Sequence, residues 1–151
     1  MSELKVLIVD DQPDVVETLA SCVRQWKHKV EVAYSGEQAL SIANTFEPDV
    51  VLLDIMMPNM DGYTVAQQLR MTRSRMQTTI VGVTALSAPE NRYKSYDSGF
   101  DFYLVKPVDP AKLKKLLEGF KRTLEVGEDE RSGMAALVKT ASRLSKREKQ
   151  P

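Results

Sequence analysis

The sequence predicts an α/β domain, a doubly wound parallel sheet of five strands, each followed by a helix. Short β-type runs alternate with helical stretches along most of the chain. The runs are continuously apolar instead of alternating with polar residues, as in strands covered on both faces. The helical stretches open on recognisable start signals.

The first strand is Val6 to Val9, and Pro13 suits the first turn of the helix that follows. Within that helix Cys22 stands beside Val23 and reads as a small core hydrophobe, while Trp26 closes the helix end. His28, flanked by Lys27 and Lys29, is expected to be solvated in the turn to the second strand, Lys29 to Ala33. Ser35 and Gln38 form a capping box for the second helix. Val50 to Leu53 gives the third strand and Ile80 to Val83 the fourth; Ser87 and Glu90 repeat the capping box for a fourth helix. Phe102 to Val105 is the fifth strand. Asp109-Pro110 starts the fifth helix, whose Leu113, Leu116, Leu117 and Phe120 make one apolar face. The five units end near Leu124, so residues 1–124 are expected to form the domain. Residues 125–151 then form a polar linker and a basic amphipathic tail, with Met134, Leu137, Val138, Ala141 and Leu144 at helical spacing.

Composition excludes several functions. Among the 151 residues, 21 basic side chains balance 21 acidic ones, so no overall field favours nucleic acid or a membrane surface. The single cysteine forbids an internal disulfide, and no apolar stretch approaches the roughly 18 residues of a membrane span. Without a leader-like start, the expected location is cytoplasmic.

The chemistry concentrates at strand ends. Asp10 and Asp11 follow the first strand and Asp54 the third, so neighbouring strands would bring three carboxylates to one sheet edge, where a divalent cation relieves their repulsion. Acids after a strand often only cap the next helix. Thr84 after the fourth strand and Lys106 after the fifth raise the odds of a site, because they add a hydroxyl and an ammonium to the same crevice. Magnesium, with manganese as the alternative, suits a shell of carboxylates, a carbonyl and waters. A carboxylate at Asp54 can attack phosphorus while Lys106 and Thr84 stabilise phosphoryl oxygens.

From Leu4 to Leu124 the chain resembles the receiver domains of bacterial two-component response regulators. The resemblance rests on Val9-Asp10-Asp11, Leu53-Asp54 with Pro58 and Asp61-Gly62 after it, Thr84-Ala85 and Lys106-Pro107, in this order and spacing. It implies a flavodoxin-like fold in which Asp54 accepts a phosphoryl group from a histidine kinase or a histidine phosphotransfer protein. It further implies that Asp11 and Asp54 ligate magnesium directly, that Asp10 acts largely through water, and that the Met56 carbonyl completes the protein ligands. Lys106 would pair with the phosphoryl group, Lys106-Pro107 would be cis, and Thr84 with Tyr103 would form the switch that reshapes a partner-binding surface. A downstream protein, or a second phosphorylated copy, would read that surface.

The leading reading is a phosphorylation-controlled binding module that catalyses only its own phosphorylation and dephosphorylation. A receiver cut from a larger response regulator or hybrid histidine kinase is the alternative. An aspartyl-phosphate hydrolase would want an acid two residues after its nucleophile, where Met56 stands. A flavin-binding module would want a glycine-rich phosphate loop where Asp10-Asp11-Gln12-Pro13 stands.

Overall fold

The computed structural model describes residues 3–72, 78–85 and 99–126. In chain order the elements are β1 (Lys5–Val9), α1 (Pro13–Gln25), β2 (Lys29–Ala33), α2 (Gly36–Phe46), β3 (Val50–Asp54), α3 (Gly62–Met71), β4 (Thr79–Thr84), β5 (Phe102–Val105) and α4 (Pro110–Val126). The strands pair in parallel in the order β2-β1-β3-β4-β5. This is the doubly wound five-stranded parallel sheet expected from the alternation, in the flavodoxin-like order that the family resemblance implies. The fourth predicted helix, from Ser87, lies outside the described residues, as does the tail from Met134; α4 is therefore the fifth helix of the sequence reading and runs through Val126, two residues past the expected boundary at 124.

Successive residues of a strand point to opposite faces, and here both faces are dry. Val6, Ile8, Val50 and Leu52 join Val16, Leu19, Leu113 and Leu117 in a core under α1 and α4. The alternate residues Leu7, Val9, Val51 and Leu53 join Ala39, Ala43, Val65 and Leu69 under α2 and α3. The unbroken apolar runs of β1 and β3 follow directly from this double coverage. β2 differs: at the sheet edge it exposes Lys29 and Glu31, charges that discourage pairing with another chain.

The helix starts follow their sequence signals with one change. Ser35 Oγ accepts from the Gln38 N–H at 3.2 Å, but the Gln38 side chain reaches back to the Tyr34 N–H at 2.9 Å instead of that of Ser35. Asp109 Oδ1 accepts from the Ala111 N–H at 2.9 Å. At the far end of the sheet the Arg70 guanidinium donates to Thr78 O at 2.6 Å and Gly99 O at 2.9 Å and pairs with Asp101, tying the end of α3 to the starts of β4 and β5.

Two expectations need correction. Cys22 is only half-buried, because its position on α1 sits at the margin of the stripe held by Val16, Leu19, Ala20 and Val23. His28 is not solvated: it is buried, and its Nδ1 accepts from the Leu4 N–H at 3.3 Å. The flanking lysines point to solvent while the ring fills the gap beside β1, an arrangement set by contacts distant in sequence. Burial and the Lys121 charge lower the His28 pKa. The unfolded chain therefore protonates first on acidification, so His28's contribution to stability is complete above about pH 6.5 and is lost as pH falls below it. Denaturant titrations should show parent and His28→Gln diverging at pH 7.5 and converging near pH 5.5. An unchanged gap at the two pH values would contradict this role.

Candidate functional site

Register decides the site. Val9 pairs with Leu53, so Asp10 and Asp54 emerge side by side at the carboxyl edge, and Asp54 in turn pairs with Val83, the residue before Thr84. Thr84 pairs with Val105, and the Lys106 N–H donates to Thr84 O at 2.8 Å, which brings the end of β5 to the same edge. The four strand ends thus converge as the sequence pattern predicts. Each of the buried three, Asp10, Asp54 and Thr84, is 3% exposed, whereas Asp11 is exposed.

Carboxylate oxygens of Asp10, Asp11 and Asp54 all lie within 4.8 Å of one another. Lys106 Nζ donates to Asp10 Oδ2 at 2.9 Å and lies 3.4 Å from Asp54 Oδ2. Asp10 Oδ1 also accepts from the Gln12 N–H at 2.9 Å, and Asp54 Oδ1 from the Met56 N–H at 3.1 Å. Burial and the neighbouring Asp10 charge push the Asp54 carboxyl up to about 6, against the opposing pull of Lys106 and the Met56 N–H. Burial opposes the Lys106 charge, but its bond to Asp10 and the nearby Asp54 charge outweigh this and raise its pKa. Three carboxylates against one ammonium leave net negative charge in a confined space, and hard oxygen donors in that number fit a small divalent cation.

The loop after β3 is held by contacts that the sequence reading did not foresee. Asp61 caps α3, its Oδ1 accepting from the Thr64 N–H at 2.9 Å. The Gly62 N–H donates to Ile55 O at 2.9 Å, and a Cβ on Gly62 would stand 2.6 Å from Asp54 O and 2.7 Å from Ile55 Cα. The Asp61-Gly62 pair was visible in the sequence; its reason, a glycine against the backbone of the acidic residue, is three-dimensional. Gly62→Ala is expected to cost roughly 1–3 kcal/mol, since backbone on both sides must shift. A thermal melt equal to the parent's would count against that packing.

Met56 is 61% exposed, while Met57 is buried and Met60 packs against Gly36. Lys106-Pro107 is cis, as expected. Tyr103 lies on β5, and its side chain is outside the described part of the structure.

The family described as the response regulator receiver domain matches residues 6–118. The RpaA protein of Synechocystis, named a DNA-binding dual master transcriptional regulator, is 32% identical over 105 residues, 70% of this chain and 44% of its own. The response regulator PleD of Caulobacter vibrioides is 34% identical over 146 residues, 93% of this chain and 32% of its own. This chain spans about half the length, or less, of such curated relatives. Among solved structures, chemotaxis protein CheY4 of Vibrio cholerae superposes with a TM-score of 0.74 at 31% identity, covering 78% of this chain and 98% of that one. A CheY-like receiver domain protein of Methanospirillum hungatei gives 0.75 at 26% identity, covering 83% and 100%.

Proposed function

This chain belongs to the response regulator receiver domain family, and from that premise we propose that Asp54 is its phosphoacceptor in a magnesium-dependent switch. The observation that carries the reading is the pairing of Asp54 with Lys106 at 3.4 Å inside a cluster of three carboxylates. Asp11 and Asp54, with the Met56 carbonyl, would hold the cation directly, and Asp10 would act through water. Bound there, the cation supplies charge neutralisation for the phosphoryl oxygens.

Asp54 carries out the transfer. One of its carboxylate oxygens attacks phosphorus of a phosphohistidine on a kinase or phosphotransfer protein; the P–O bond forms as the P–N bond breaks, and nitrogen keeps the electron pair. The Met56 N–H fixes the other carboxylate oxygen, and Lys106 receives charge that develops on the phosphoryl group. Thr84, buried beside the site, would reorient toward the phosphoryl group and move Tyr103 with it, shifting the population between two partner-binding surfaces. The activity is confined to its own phosphorylation and dephosphorylation.

Residues 1–124 would be the switch and 125–151 its linker and tail. The partners would be a protein phosphodonor and a downstream protein or second copy. Direct contact with DNA is not proposed for this domain, although regulators among its relatives are named as DNA-binding. Among the described residues no helix is long and apolar enough to cross a membrane. Incubation with acetyl phosphate should add one phosphoryl group to the intact mass with magnesium and none with chelator present. Equal incorporation in both would remove the metal from the account.

A further inference from the structure

Among the described residues two large apolar side chains stand exposed, and both are methionines: Met71, 84% exposed, and Met56, 61% exposed. A thioether in contact with solvent is open to peroxides, which convert it to the sulfoxide. Met57, by contrast, is buried in the core under α2 and α3, and Met60 is half-buried against Gly36.

The two exposed thioethers differ in what lies beside them. Met71 ends α3, 10 residues and about 15 Å along from the helix start that packs on the Asp54 backbone. Met56 is held at the acidic cluster itself. Its N–H donates to Asp54 Oδ1 at 3.1 Å, so the chain turns back over the carboxylate, and the side chain that follows has three rotatable bonds and a polarisable sulfur. A methionine with most of its surface in water thus adjoins a carboxylate that has almost none.

We propose that Met56 is an oxidation site through which hydroperoxides shorten the life of the phosphoryl group on Asp54. The effect on lifetime rests on the phosphoacceptor reading; the oxidation site does not. In the modification, sulfur attacks one peroxide oxygen. The S–O bond forms as the O–O bond breaks, and the departing hydroxide takes the proton from the transferred oxygen and leaves as water. Sulfur loses two electrons and the peroxide gains them. The thioether is apolar and does not order water, whereas the sulfoxide carries a strong acceptor oxygen. Beside a phosphorylated Asp54 that acceptor holds a water by one hydrogen and presents the water's oxygen to phosphorus. A new P–O bond forms as the bond from phosphorus to Asp54 breaks, the carboxylate is released, and the water's protons pass to the departing phosphate and solvent. Methionine sulfoxide is reduced enzymatically, so the change is reversible.

Peptide mapping of the full-length chain after brief treatment with hydrogen peroxide should find an added oxygen at Met56 and Met71 well before Met57. Treated and untreated chains are then labelled with acetyl phosphate and magnesium, freed of acetyl phosphate, and followed by intact mass. The treated chain should lose its phosphoryl group about threefold faster or more, and methionine sulfoxide reductase should return the untreated rate. Met56→Leu keeps an apolar side chain there and every other oxidisable residue, Cys22 included, so its decay should not change with peroxide, whereas Met71→Leu should respond as the parent does. A Met56 that stays unoxidised while Met71 reacts overturns the site. Equal decay in treated and untreated parent, or a peroxide response retained in Met56→Leu, overturns the regulation. An untreated parent that takes no label is a different failure: it removes the phosphoacceptor reading and the lifetime effect built on it, while the map still decides whether Met56 is the oxidised residue.

Discussion

Asp54→Asn is expected to abolish phosphorylation and, in chelator, to make the protein more stable at neutral pH. The first effect follows from loss of the attacking carboxylate oxygen, the second from loss of a buried charge. Asp54 is 3% exposed and its carboxyl titrates near 6 because burial and Asp10 oppose its charge. A folded-state pKa above the unfolded value means that the native state binds the proton more tightly. The metal-free parent should therefore lose stability as pH rises from about 4 to about 6, by roughly 2–3 kcal/mol at most, and stay at that level above. Asp54→Asn removes the titration. Denaturant titrations at pH 4.5 and 7.5 should show the variant gaining on the parent at the higher pH. No change in the gap would mean that the Asp54 charge is accommodated without cost.

The second large effect separates metal binding from phosphoryl binding. Asp11→Asn should weaken magnesium affinity by at least about tenfold, because it would remove one charged oxygen donor of the three in the carboxylate cluster proposed to hold the cation. Lys106→Ala should leave it intact or strengthen it, since an ammonium 2.9 Å from Asp10 competes with the cation for the same negative charge. Titration of backbone amide shifts with magnesium measures both. Equal losses in the two variants would contradict the division of roles.

Much of this arrangement was legible in the sequence, for identifiable reasons. β1 and β3 are buried on both faces, so their apolar runs were unbroken, and the polar residues that end them, Asp10 and Asp54, stood out. The strand ends carrying Thr84 and Lys106 announced themselves in the same way. What the sequence hid depends on neighbours far along the chain. His28 looked solvated between two lysines, yet its ring meets Leu4 across 24 residues. Gly62 gave no sign that its missing side chain lets α3 start against the Asp54 backbone. Arg70, which no sequence pattern singled out, holds the entries of two strands together.

The central claim is that one carboxylate among three receives the phosphoryl group. Borohydride reduction of the phosphorylated protein converts an aspartyl phosphate to homoserine, and peptide sequencing then locates it. The account predicts homoserine at position 54 alone, and none in chelator-treated protein; homoserine at Asp10, Asp11 or Asp61 would contradict it.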